Sequence, residues 1–127
     1  RLGLPAMRRL VLDGRGIPTG ADERFDGFAG PLGDHGFDDG FALIEEPAAF
    51  SLAGAGRRIA VELLAGYRYA QIFAPKHDEL IALEPMTAPT NALASGQGLR
   101  FVEPGGRFRA AFRIGIEPGG DAAIGAS

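Results

Sequence analysis

An all-β fold, an antiparallel sandwich, is what this chain predicts, and three observations carry the prediction. Short apolar runs recur between glycine and proline punctuation; several alternate with period two; and no stretch holds an apolar face at helical spacing for three turns. The clearest case is "RFRAAFRIGIE". Phe108, Ala110, Phe112, Ile114 and Ile116 share one parity, while Arg107, Arg109, Arg113 and Glu117 share the other.

Taken in chain order, "MRRLVLDG" near the start reads as the first strand, followed by "FALIE" at 41–45 and "AFSLA" at 49–53. "RRIAVELLAG" at 57–66 sets Ile59, Val61 and Leu63 on one face, with Gly54 and Gly56 before it and Gly66 after. "YRYAQIFAP" at 67–75 groups Tyr67, Tyr69, Gln71 and Phe73, and "ELIALE" at 79–84 continues after the polar loop "KHD". "LRFV" at 99–102 is expected to pair with 107–117 as a hairpin across the turn "EPGG". "TNALAS" is allowed one helical turn at most. The stretch from Ile17 to Asp39, rich in Gly, Pro, Asp and Phe, shows little periodicity and is expected to be a long loop with a binding surface. The tail at 118–127 is expected to fray. With no linker and no repeat of fixed period, residues 1–127 read as one unit.

Composition narrows the function. A chain of 127 residues with 46% apolar and 23% charged content has the material for a core, which excludes disorder despite 20 glycines and 9 prolines. A formal charge of −3, without clustered Lys or Arg, offers no field for nucleic acid. The absence of cysteine rules out disulfides and thiolate metal sites. His35 and His77 stand in no metal-ligand spacing, so no metal and no cofactor is expected. No apolar run approaches bilayer length, and the chain is read as cytoplasmic with no membrane partner.

Candidate chemistry gathers at two places. In "IALEPMTAPTNAL" (81–93) an apolar run ends on Glu84; Leu80 and Ala82 share its parity, so partial desolvation is expected to make it a stronger base. A solvated carboxylate at a strand end is the alternative. In "HGFDDGFAL", Asp38 and Asp39 sit between glycines that let a ligand approach, and an aspartate there can accept hydrogen bonds from vicinal sugar hydroxyls or simply cap the strand entry. His35, three residues earlier, is placed to reach the same pocket.

"IPTG" (17–20), "GFDDGFAL" (36–43) and "LEPMTAPTNAL" (83–93), followed by "FVEPGGRFRAAFRI", resemble in order and spacing the C-terminal half of the aldose 1-epimerases, the galactose mutarotase family. The resemblance runs from about Ile17 to Glu117. It implies a large antiparallel sandwich with a sugar cleft, of which this chain is the C-terminal part, and an activity that interconverts the α and β anomers of an aldose. On it, Glu84 matches the catalytic base and Asp38 the aspartate that holds sugar hydroxyls; Asp39, His35 and Gln71 complete the candidate sugar-binding set. Asp39 departs from the His or Asn usual at that place. The family's acid histidine, in a His-Pro motif, belongs to an N-terminal half absent here, so the expected partners are an aldose and either that half or a second copy. Paucity of basic residues near Asp38 and Glu84 argues against a phosphosugar. A noncatalytic sugar-binding sandwich and a two-carboxylate glycoside hydrolase are the competing readings.

Overall fold

The computed structural model describes residues 1–119. Ten strands and one helical turn follow in order: β1 (Leu2–Leu4), β2 (Met7–Leu12), β3 (Pro18–Phe25), β4 (Phe28–Gly30), β5 (Phe37–Leu43), β6 (Ala48–Gly54), β7 (Arg57–Ala65), β8 (Tyr69–Ala74), β9 (Ala82–Met86), α1 (Ala92–Ser95) and β10 (Ala111–Pro118). They form two antiparallel five-stranded sheets, β10-β7-β6-β1-β4 and β3-β2-β5-β8-β9, the all-β sandwich that alternation predicted. Among the described residues no helix is long and apolar enough to cross a membrane.

Alternation explains how the sheets close on each other. Phe50, Val61 and Leu63 from one sheet meet Met7, Phe41 and Ile72 from the other, all buried, with Leu2 and Leu4 in the same cluster. Phe41 and Phe50 are fully enclosed. β8 shows the pattern most cleanly: Ala70, Ile72 and Ala74 are buried while Tyr69, Gln71 and Phe73 face the other way at intermediate exposure. The link from β6 to β7 is a two-residue turn in which Ala55 and Gly56 both take positive φ (50° and 72°) between the paired Gly54 and Arg57, the arrangement whose twist suits a tight hairpin.

Three expectations need correction. The segment 17–39 is not one loop: it holds β3 and β4 and the first residues of β5, which starts at Phe37 rather than Phe41. β3 escaped notice because it is an edge strand with Thr19 through Arg24 all exposed, so no apolar parity marks it. Pro18 opens it, a position where a missing N–H is harmless. Second, 99–102 is not a strand. β10 starts at Ala111 and pairs with β7, joining chain segments far apart in sequence instead of closing a local hairpin. Third, β9 runs from Ala82 through Pro85 to Met86, so Glu84 lies within a strand, not at its end; Pro85 is tolerated because β9 too is an edge. Of the tail at 118–127, residues 120–127 lie outside the described residues.

Candidate functional site

The second sheet has one face on the core and one turned away from it. Register fixes which side chains share the outer face. Gln71 of β8 stands opposite Gly40 of β5 on one side and Glu84 of β9 on the other; Asp38 stands opposite Phe73, and Tyr69 opposite Met86. Asp38, Tyr69, Gln71, Glu84 and Met86 thus project from three adjacent strands onto one surface.

Gln71 joins two of the candidates. Its Nε2 donates to Asp38 Oδ1 at 3.0 Å, which leaves the second carboxylate oxygen of Asp38 free to accept from a ligand hydroxyl. Gly40 makes room for this pair. A Cβ built there would stand 3.3 Å from Gln71 Oε1 and 3.4 Å from Leu10 Cδ1, so the two side chains close over a strand position that carries none.

Beside the pair lies a hollow of about 230 Å³, lined by Asp38, Gly40 and Gln71 on its polar side and by Leu10, Leu12, Tyr69 and Met86 on its apolar side. Pro89 and Thr90, from the segment that follows Glu84, form part of its wall. That segment is pinned where Gly98, at φ +70°, packs against the Tyr69 hydroxyl and Pro89; a Cβ there would come within 2.6 Å of the hydroxyl oxygen. The hollow is smaller than the roughly 300–1,000 Å³ of pockets for drug-sized ligands. One small ring with polar edges and an apolar face suits it.

Glu84 is not desolvated. It shares the face, as its parity required, but its side chain is exposed and lies outside the lining of the hollow. The apolar neighbours that promised burial do not deliver it: Leu80 precedes the strand and is itself 49% exposed, and nothing among the described residues covers the edge strand on that side.

Asp39 takes the opposite parity from Asp38 and turns toward the core side. There its Oδ1 lies 3.8 Å from Arg9 Nε, a charge neighbour beyond hydrogen-bond range. Arg9 also stacks over the Phe25 and Phe41 rings, at 5.0 and 5.9 Å, and approaches Glu23 at 3.6 Å. This cluster closes one end of the core, and Asp39 is part of it. His35 lines a separate hollow with His77 and Lys76 and meets Phe28 edge-on at 5.1 Å. The structure therefore brings together Asp38, Gln71 and Glu84, and sets Asp39 and His35 apart from them.

Sequence reasoning missed Leu10, Leu12, Pro18 and Met86 as lining residues. "MRRLVL" has no clean parity to separate its outer face from its inner one, whereas Tyr69 was already legible beside Gln71. No family model matches the chain, and no curated protein or solved structure matches it.

Proposed function

We propose that this face binds an aldose and that, in the complete protein, it belongs to an aldose 1-epimerase that interconverts α and β anomers, in a cytoplasmic setting. The observation that carries the reading is the line Asp38, Gln71, Glu84 across three neighbouring strands, with Asp38 oriented by the Gln71 amide beside a ring-sized hollow. Ring opening needs a base for the O1 proton and an acid for the ring oxygen, after which rotation about C1–C2 and reclosure scramble the anomers. Glu84 serves O1; Asp38 and Gln71 hold hydroxyls so that proton transfer runs in line; Tyr69, Leu10 and Met86 offer apolar contact to the ring. On this reading the acid is a histidine outside this chain; His35 and His77 line a separate hollow, away from Glu84.

Exchange NMR of unphosphorylated aldoses with the complete protein tests this. Glu84→Gln is expected to slow anomer exchange by about 10²- to 10⁴-fold, the usual contribution of a general base, while saturation transfer still reports binding. Exchange at the parental rate in the Gln variant overturns the catalytic role.

One observation favours a second reading, a noncatalytic sugar-binding sandwich: Glu84 is exposed and no histidine joins it on this face among the described residues. Binding without exchange in the unaltered protein is its signature. The glycosidase reading has less support. Two strand spacings and two residues separate Asp38 from Glu84, about 12 Å between Cα atoms whose side chains project side by side from one face, wider than the roughly 5–5.5 Å between the carboxyls of a retaining pair and the roughly 6.5–9.5 Å of an inverting one.

A further inference from the structure

β10 is the outer strand of its sheet and pairs on one side only, with β7. One hydrogen bond reveals how its backbone is turned. Gly119 N–H donates to the Gly56 carbonyl at 2.9 Å, and these two residues extend the register that sets Pro118 opposite Arg57. Opposed residues of an antiparallel pair alternate between those that exchange bonds and those that do not. Glu117, Gly115 and Arg113 therefore direct their polar backbone groups toward β7. Phe112, Ile114 and Ile116 direct theirs to the open side, where nothing among the described residues meets them.

The same three side chains are exposed, by 49%, 58% and 68%, although register places them on the face shared by buried Val61 and Leu63. An open edge with apolar side chains is a template for another strand.

The charges of β10 select which strand. Arg113 and Glu117 are its charged residues, and they flank Gly115 symmetrically on the opposite face. We infer that β10 pairs antiparallel with β10 of a second copy about a two-fold axis through Gly115. Ile114 then opposes Ile116 of the second copy, which brings the open-side backbone groups into bonded positions. Arg113 opposes Glu117 of the second copy in the non-bonded position, where side chains lie closest. Within each chain Arg113 already hydrogen-bonds Glu62, and Arg58 lies 3.9 Å from Glu117. Across the interface the row therefore reads Arg58, Glu117, Arg113, Glu62, alternating in sign throughout. The neighbouring registers that keep the backbone groups in bonded positions, slipped by one pair either way, set Arg113 opposite Gly115 or Gly119 and lose both ion pairs.

The chain lacks cysteine, which makes the axis directly testable. A Cβ added at Gly115 meets nothing within 4 Å, and two facing residues in a non-bonded pair stand about 4.5 Å apart at Cα, within reach of a disulfide. Under mild oxidation Gly115→Cys is expected to give a covalent dimer, and Ala21→Cys on the edge of the other sheet is not. In sedimentation the unaltered protein is expected to be a dimer. Arg113→Glu and Glu117→Arg, each folded by circular dichroism, should each weaken it by at least about tenfold through like-charge opposition, and an equimolar mixture of the two should restore it. A monomeric parent, equal cross-linking at positions 115 and 21, or a mixture that stays monomeric overturns the interface.

Discussion

Gly40 is where backbone sterics meet the proposed sugar site. The gap left by its missing side chain lets Gln71 and Leu10 approach, and the Gln71 amide in turn orients Asp38. On the proposed reading, Gly40→Ala is expected to lower sugar affinity about two- to tenfold with little loss of stability, since a Cβ at 3.3–3.4 Å displaces a flexible amide and a leucine methyl rather than backbone; titration calorimetry beside urea unfolding separates the two. On the opposite face of the same sheet, one residue along from Leu10 and opposite Phe41, Arg9→Ala removes the cation over Phe25 and Phe41 and leaves Asp39 and Glu23 without it. It is expected to cost about 1–2 kcal/mol by urea unfolding. On the other sheet, the hydrogen bond from Arg113, aided by its charge, holds Glu62 below the ordinary carboxylate value of 4.5. A depressed acid contributes stability that is complete above that value and lost as pH falls through the folded one, so the stability gap between parent and Glu62→Gln should shrink below pH 4.5. Parity in the sequence set Gln71 with Tyr69 and Phe73, as β8 has them; that Glu84 shares their face follows from the β8–β9 register, which parity within one strand does not give. The solvation of Glu84 was not legible, because exposure depends on what covers an edge strand and not on the residues before it.

Strands with two different faces announced themselves, and strands with one did not. β7 and β8 each bury alternate residues, so their limits were readable within two residues. β3 hides nothing and β4 has three residues, so neither writes a period into the chain. The error at 99–102 has the same root: an apolar quartet before a glycine turn resembles half a hairpin, yet β10 gains more from lying along the whole of β7. Turns were more legible than edges. Gly56 meets the positive φ its turn demands, but Ala55 carries a Cβ at φ 50°. Ala55→Asn, which supplies the Asn-Gly pair preferred there, is expected to stabilise the protein by about 0.5–1 kcal/mol in thermal unfolding.

At the scale of the molecule the two sheets share one core, and Phe50 lies at its centre, fully enclosed. Phe50→Ala should cost about 3–5 kcal/mol, read from the midpoint of chemical denaturation. The fold class was legible because both sheets repeat the same binary alternation; how far each extends past the other was not, since that depends on pairing between distant segments. The outermost strands share one further property. Pro18 begins β3, Pro85 interrupts β9, Pro118 ends β10, and β4, the fourth border, is only three residues long. Each border is thus too short or lacks a donor, and polymerisation has no uninterrupted rim along which to propagate. Prolonged incubation at high concentration should leave thioflavin fluorescence flat: stickiness at one margin stops at a finite particle instead of seeding fibrils.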